Sequence, residues 1–260
     1  MSAIAFAPGS VTTVFVPQDG DRSLGVSFAT ADGVTATVEP ATDSSVLLDG
    51  RPVSIEPVSR VLRRLHASAQ VRLDSDLPIG CGFGVSGAAT LATAIAANAE
   101  LQLGYEREAL LEMAHRAEVA AGTGLGDVFI QERGGLVWDL GKGLQSAERT
   151  ARIEYASFGE IGTEEVLGDE DAMERVVKTG EETVATIDPS GSLAVLFDAS
   201  WSFADRVGFA TNRVTEAVTR VREAGGAATM AMIGETVVAT GTQDVLDHET
   251  KITSTGATLQ

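Results

Sequence analysis

Cysteine is nearly absent from this 260-residue chain, and Cys81 stands alone. A single thiol closes no intrachain disulfide and builds no cysteine-rich zinc site. Histidine occurs only at His66, His115 and His248, too scattered in sequence to suggest a metal cluster. Lysine is as scarce, at Lys142, Lys178 and Lys251. Lys and Arg together number 19 against 37 Asp and Glu, a formal charge of −18. That balance argues against nucleic acid as a partner, because phosphate backbones are bound by basic faces. Anionic membrane surfaces are disfavoured by the same sign. No stretch approaches the ~20 uncharged apolar residues of a membrane span. The most apolar segment, Gly87–Ala99, is short and alanine-rich. The first residues lack a charged region followed by an apolar run, so no secretory signal is expected and the expected compartment is the cytoplasm.

What is present reads as a globular protein, 44% hydrophobic and 22% charged. The length allows one large domain or two small ones. Aromatics are only 5%, and Ala, Gly, Val and Thr are plentiful. An acidic, lysine-poor surface over a small-residue core suits a protein that stays soluble in high salt.

The first 80 residues read as strands and turns. Ala3–Phe6 and Val11–Val16 are short strands about Pro8-Gly9, and residues 18–22 form a turn. Leu24–Thr30 and Gly33–Glu39 alternate around Asp32-Gly33, which suggests a hairpin. Pro57–Ala67 has helical spacing, and Gln70–Leu77 is a strand. Helices are expected over Ser86–Leu103 and Tyr105–Ala121, with a short third from Asp127. A domain boundary is expected between Gly141 and Ala151. Beyond it come a strand at Ile153–Phe158, an acidic loop over residues 160–171 and a helix at Met173–Thr186. Leu193–Phe197 reads as a buried strand and Phe203–Ala224 as one long helix. Ala228–Ile233 and Thr236–Thr240 read as two strands.

Chemistry concentrates at Pro78–Ala88, P-I-G-C-G-F-G-V-S-G-A, a glycine loop between a strand and a helix. Glycines allow close backbone approach, and free N–H groups at a helix start attract anions. Ser86 sits where its hydroxyl meets a phosphate or its metal. The loop lacks the Walker A spacing. Gly82, Gly84 and Gly87 formally meet the dinucleotide fingerprint, but the preceding strand is charged and no acidic residue closes a second strand. Read alone, Asp127 is a favoured helix cap after Gly126, and Glu118 is a solvated helix residue. Cys81 reads as a small packing residue, and Trp201 and Phe203 as core.

The loop resembles the second motif of the GHMP kinases, roughly P-x-G-x-G-x-x-x-S-x-A, through Pro78, Gly80, Gly82, Gly84, Ser86 and Ala88. Ala114–Asp127 (AHRAEVAAGTGLGD) resembles the helix, glycine loop and acidic residue that follow in that family. Ala224–Ala239 resembles its third motif, and Ala7-Pro8-Gly9 its first. The wording of Phe83–Ala88, Ala114–Val119, Thr123–Asp127 and Met230–Gly234 is most similar to the archaeal pantoate kinase branch. Two positions depart from the pattern. Ser10 stands where many members carry lysine and this branch histidine, and Glu235 stands where the branch has asparagine.

The resemblance implies an α/β fold of two domains. Residues 1–145 would form the ATP-binding and catalytic domain, and residues 146–260 a smaller α/β domain with the third motif and substrate contacts. It implies ATP held by Pro78, Gly80, Gly82, Phe83, Gly84, Val85, Ser86 and Gly87. Mg²⁺ would be held by Ser86 and Glu118, with Asp127 as the catalytic carboxylate. His115, Arg22 and Ser10 are the implied contacts of pantoate, a small anion, with Arg116 a second candidate cation. The implied reaction is phosphorylation of the 4-hydroxyl of pantoate, on the archaeal route to coenzyme A, by a homodimer. Alternatives are a homoserine, mevalonate or sugar kinase of the same family, or a catalytically silent nucleotide-binding protein on this fold.

Overall fold

The computed structural model describes residues 2–18, 22–161 and 169–260. The turn expected over 18–22 and the acidic segment 160–171 therefore lie largely outside the described residues.

Two long strands, β1 (Ala3–Pro17) and β2 (Ser23–Pro40), pair antiparallel from Ala3 opposite Val38 to Pro17 opposite Ser23. Each is longer than its sequence suggests. Pro8-Gly9 makes a bulge within β1 instead of a turn, and a second register shift falls between Thr12 and Val14. A bulge is where a strand tolerates a residue that cannot donate to the ladder. Asp32-Gly33 makes no hairpin either. Residues 34–40 of β2 pair with β5 (Ala69–Ser75), Thr30 pairs with Ile252 of β11 (His248–Ile252), and residues 25–28 pair with β6 (Leu136–Asp139). Pairing to β1 on the other edge keeps the halves of β2 in one strand, so long-range ladders override the local turn signal.

The sheet runs β4 (Arg51–Pro52), β3 (Ser45–Leu48), β5, β2, β11, β8 (Ala151–Gly159), β10 (Glu235–Thr240), β9 (Ala227–Met230). Two short strands join beside this path, β7 (Gln145–Ala147) on β6 and β12 (Thr258–Leu259) on β1. Among the described pairs only β3–β5 is parallel. Residues from both sides of position 145 thus share one hydrogen-bonded sheet and one hydrophobic cluster.

Helix α2 (Val85–Glu100) lies on β1 and β2, enclosed by α1 (Glu56–Arg64), α3 (Arg107–Ala121) and α4 (Asp127–Arg133). Twelve of its sixteen residues are buried, most of them Ala, Gly or Thr. A helix buried on nearly every side shows little amphipathic stripe, and its small side chains let neighbouring backbones close in. The other end of the sheet is covered by α5 (Glu170–Val184), α6 (Leu193–Val207) and α7 (Asn212–Glu223).

Two expectations fail here. Leu193–Phe197 is the start of α6, not a strand, and the Ser192 hydroxyl caps it by accepting from the Val195 N–H. Short apolar runs fit either element, and the cap decides. The long helix expected over Phe203–Ala224 is two helices. Gly208, at φ 85°, ends α6, and Thr211 caps α7.

Aromatic pairs tie these layers together. Phe28 stacks on Phe197 at 6.0 Å and Phe15 meets Phe203 edge-on at 6.2 Å, while Trp201 is buried in the core. No described helix is long and apolar enough to cross a membrane. Phe28→Ala should lower the unfolding free energy by about 3–5 kcal/mol, read by urea denaturation. A loss below about 1 kcal/mol would mean that the β2–α6 contact does not bind the two halves of the sheet.

Candidate active site

The glycine loop carries the chain from β5 into α2. Gly80, Gly82 and Gly84 have φ of 72°, 86° and 60°, the left-handed region that side chains disfavour. Crowding adds to this at Gly84, where a Cβ would fall 2.1 Å from Ser10 Oγ. The third motif backs the loop, since a Cβ on Gly234 would lie 2.2 Å from the carbonyl carbon of Cys81. No side chain caps α2. Its first N–H groups are left for an anion, which the helix dipole also favours.

A cleft of about 650 Å³ opens in front of this helix start. Thr12, Val14 and Ser27 contribute from the strands, Ser86, His115 and Asp127 from the helices. Ile79 and Leu144, both exposed, stand among its lining. Phe83 and Cys81 are buried as packing residues, and Tyr155 packs on the Phe83 ring at 4.9 Å.

Glu118 lies in the last turn of α3 and is only 3% exposed. Its Oε1 accepts from Ser86 Oγ at 3.0 Å and Thr90 Oγ1 at 2.8 Å, and its Oε2 from Thr123 Oγ1 at 2.8 Å. Burial pushes its pKa up to about 6; the three hydroxyls act the other way, and the Asp127 charge adds to the rise. The solvated-helix reading of Glu118 is thereby excluded.

Asp127 is the first residue of α4, with Gly126 at the cap position and no side-chain cap. Its Oδ1 instead accepts from Ser10 Oγ at 2.8 Å. Its carboxylate is thus turned away from the capping role that the sequence allowed. Burial pushes its pKa up, and the Ser10 hydrogen bond opposes the rise.

The other candidates divide. His115 is buried at 5% exposure, lies 4.8 Å from the Phe129 ring centroid, and lines the cleft. Arg22, with its side chain 72% exposed, reaches Asp139 Oδ2 at 3.4 Å. It is the only Lys or Arg among the described residues lining the cleft. Arg116 is held by Glu112 at 2.5 Å on an exposed helix face, outside the cleft lining. Ser10 has no exposed surface, and its N–H donates to the Phe83 carbonyl at 2.9 Å. Its hydroxyl touches Asp127 and does not line the cleft. Pro78 and Gly87 also lie off the cleft wall, while Gly80, Gly82, Phe83, Gly84, Val85 and Ser86 line it.

Sequence reading missed Thr90, Thr123 and Gln131. The signal was there in part: Thr90 follows Ser86 by four and Gln131 follows Asp127 by four, one helical turn each. No group of three or more His, Cys, Asp or Glu among the described residues could hold a metal. One buried carboxylate beside the Ser86 hydroxyl is, however, a hard-oxygen donor pair that fits Mg²⁺, a cation that completes its shell with waters and phosphates.

Residues 55–135 match the family described as GHMP kinases N terminal domain. The pantoate kinase of Methanospirillum hungatei is 28% identical over 255 residues, covering 91% of this chain and 86% of that enzyme. That of Methanocaldococcus jannaschii is 25% identical over 263 residues, covering 95% and 96%. A solved structure named "Phosphotransferase related to CoA biosynthesis pathway" superposes with a TM-score of 0.87 at 21% identity, over 100% of this chain and 99% of its own. The chain is thus similar to the GHMP kinases, a class of ATP-dependent kinases, through the match of residues 55–135 to that family's N-terminal domain and through a fold shared along its whole length.

Two expectations follow from the geometry. Gly84→Ala should weaken ATP binding by about tenfold or more, read by calorimetry, because a side chain at this φ is strained and collides with Ser10. Glu118 has a folded pKa above its ordinary value, so its contribution to stability is fully present below about pH 4.5 and is lost as pH rises through about 6. Glu118→Gln should therefore raise metal-free stability at pH 7 by about 2 kcal/mol and flatten its slope between these pH values. Parallel pH–stability curves for the two proteins would contradict this.

Proposed function

We propose that this chain transfers the γ-phosphoryl group of ATP to the 4-hydroxyl of pantoate, giving ADP and 4-phosphopantoate. The relatives that align along most of its length are pantoate kinases, which supports the reading. The observation that carries it is the placing of two buried carboxylates about one uncapped helix start, Asp127 in the cleft lining and Glu118 hydrogen-bonded to Ser86, which lines it.

In this reading the residues of the loop from Gly80 to Ser86 cradle the phosphates with backbone N–H groups. Ser86 and Glu118 would hold Mg²⁺, which would supply neutralisation of the phosphate charge. Asp127 Oδ1 is engaged by Ser10, which leaves Oδ2 to accept from the 4-hydroxyl and orient it. As the 4-oxygen bonds the γ-phosphorus, the bond from that phosphorus to the β–γ bridging oxygen breaks. The hydroxyl proton passes to Asp127. Arg22 is the cation available to the pantoate carboxylate, and His115, which lines the same cleft, offers a ring nitrogen. The apolar cleft residues, among them Val14, Leu24 and Val137, suit the two methyl groups of pantoate.

The division of labour between residues 1–145 and 146–260, a homodimeric state, a cytoplasmic location and tolerance of high salt belong to the same proposal. The acidic, lysine-poor composition supports the last of these.

ADP release with ATP, Mg²⁺ and each of pantoate, homoserine, mevalonate and galactose tests the reading at high and low KCl. Turnover with pantoate alone is expected. Asp127→Asn should lower kcat by about 10²–10⁴-fold. Arg22→Ala should raise KM for pantoate about tenfold or more with little change for ATP. Turnover with another acceptor would sink the substrate assignment. ATP binding without any turnover would sink the kinase reading in favour of a silent nucleotide-binding protein.

A further inference from the structure

Gln131 has no role in the mechanism above, yet it touches both halves of it. It lies on α4 one turn after Asp127 and has no exposed surface. Its Nε2 donates to the Gly84 carbonyl at 2.7 Å and to Ser10 Oγ at 3.3 Å. Gly84 is the last residue of the phosphate loop, and Ser10 holds Asp127. One side-chain amide therefore joins the ATP side of the cleft to the acceptor side.

Counting donors and acceptors fixes the directions. A primary amide has two N–H groups, and Gln131 uses both, one on each partner. Turning the amide over would set Oε1 against the Gly84 carbonyl, acceptor facing acceptor, so its orientation is settled. Serine has a single O–H donor. Because Ser10 Oγ already accepts from Gln131, its own hydrogen is directed to Asp127 Oδ1.

The arrangement carries a cost elsewhere in the same side chain. Gln131 Oε1 is buried without a hydrogen-bond partner among the described residues, and a Cβ on Gly87 would lie 3.0 Å from it. A buried, unpartnered carbonyl destabilises a fold, and an apolar side chain of the same volume would avoid the penalty. Local choices that oppose stability gather at functional sites.

We propose that Gln131 is a positioning residue for phosphoryl transfer: its amide fixes the Ser10 hydroxyl on Asp127 and locks that carboxylate in register with the phosphate loop. The proposal rests on the kinase reading above. It accounts for a serine at the first-motif position where the resemblance leads one to expect a cation. A serine hydroxyl can point several ways, and Gln131 removes that freedom.

The test is a double-mutant cycle of Gln131→Met and Ser10→Ala, run beside the wild type with saturating ATP, Mg²⁺ and pantoate. Gln131→Met should lower kcat about tenfold with KM for both substrates within about twofold of wild type. Its thermal midpoint should be equal to the wild type's or higher, because the unpartnered carbonyl is gone. The double variant should be no slower than the slower single variant, since both changes break one chain of hydrogen bonds. Losses that multiply would overturn the proposal. So would a rise in KM for ATP at unchanged kcat, or a fall in thermal midpoint matching the loss of rate. A wild type that turns over another acceptor refutes only the substrate, and the cycle is then decided on that acceptor. A wild type inert towards every acceptor overturns both readings, and the wild-type assay alone reveals it.

Discussion

Two carboxylates are sunk into this protein with no Lys or Arg among the described residues paired to them. No Lys or Arg contributes to the perturbation of Glu118 or of Asp127, and each is shifted towards its neutral form chiefly by burial. A charge removed from water without a partner is costly, and folds avoid it unless something else compensates. Asp127 has partial compensation, being in the first turn of α4, where the dipole favours an anion. Glu118 has the opposite placement, in the last turn of α3, and depends on three hydroxyl donors. Sites where such costs accumulate are sites where a ligand is expected to relieve them.

The rest of the fold follows from making that arrangement fit. Glu118 reaches Ser86 and Thr90 on α2 only because α2 and α3 pack closely, which the Ala, Gly and Thr surface of α2 allows. Asp127 and Gln131 reach Ser10 and Gly84 because Gly84 and Gly87 carry no Cβ to block them. Thr123 comes to Glu118 because α3 ends at Gly122, at φ 70°, and the chain turns back. The long β1–β2 pair supplies the rigid floor, and the third motif presses on the back of the glycine loop through Gly234. The small-residue composition is thus required locally by the packing around the site.

The parts of this legible in the sequence were those with local signals. The glycine loop with Ser86 and the helices around it could be read directly, while Glu118 and Asp127 became candidates only through the family resemblance, since read alone they were a solvated helix residue and a helix cap. The extent of β1 and β2 could not, because their continuity depends on ladders to strands more than a hundred residues away, which overrule Pro8-Gly9 and Asp32-Gly33. The start of α6 was obscured because five apolar residues look alike in helix and strand. Ser10 was visible as a departure, but its engagement with Asp127, 117 residues away, was not. Gln131 carried no motif at all, and only its one-turn spacing from Asp127 marked it. Polar networks assembled from distant segments leave little trace in a single sequence.

The central claim is that Glu118 is a buried carboxylate waiting for a divalent cation, and proton linkage tests it most directly. Mg·ATP binding should be measured by calorimetry at pH 6 in buffers of different ionisation enthalpy, for the wild type and Glu118→Gln. Binding of a cation to a carboxylate of pKa about 6 must expel its proton, so about half a proton should be released by the wild type at that pH. In Glu118→Gln that release should vanish and the affinity for Mg·ATP should fall. Equal proton release and equal affinity in the two proteins would contradict the account and separate Glu118 from the nucleotide's metal.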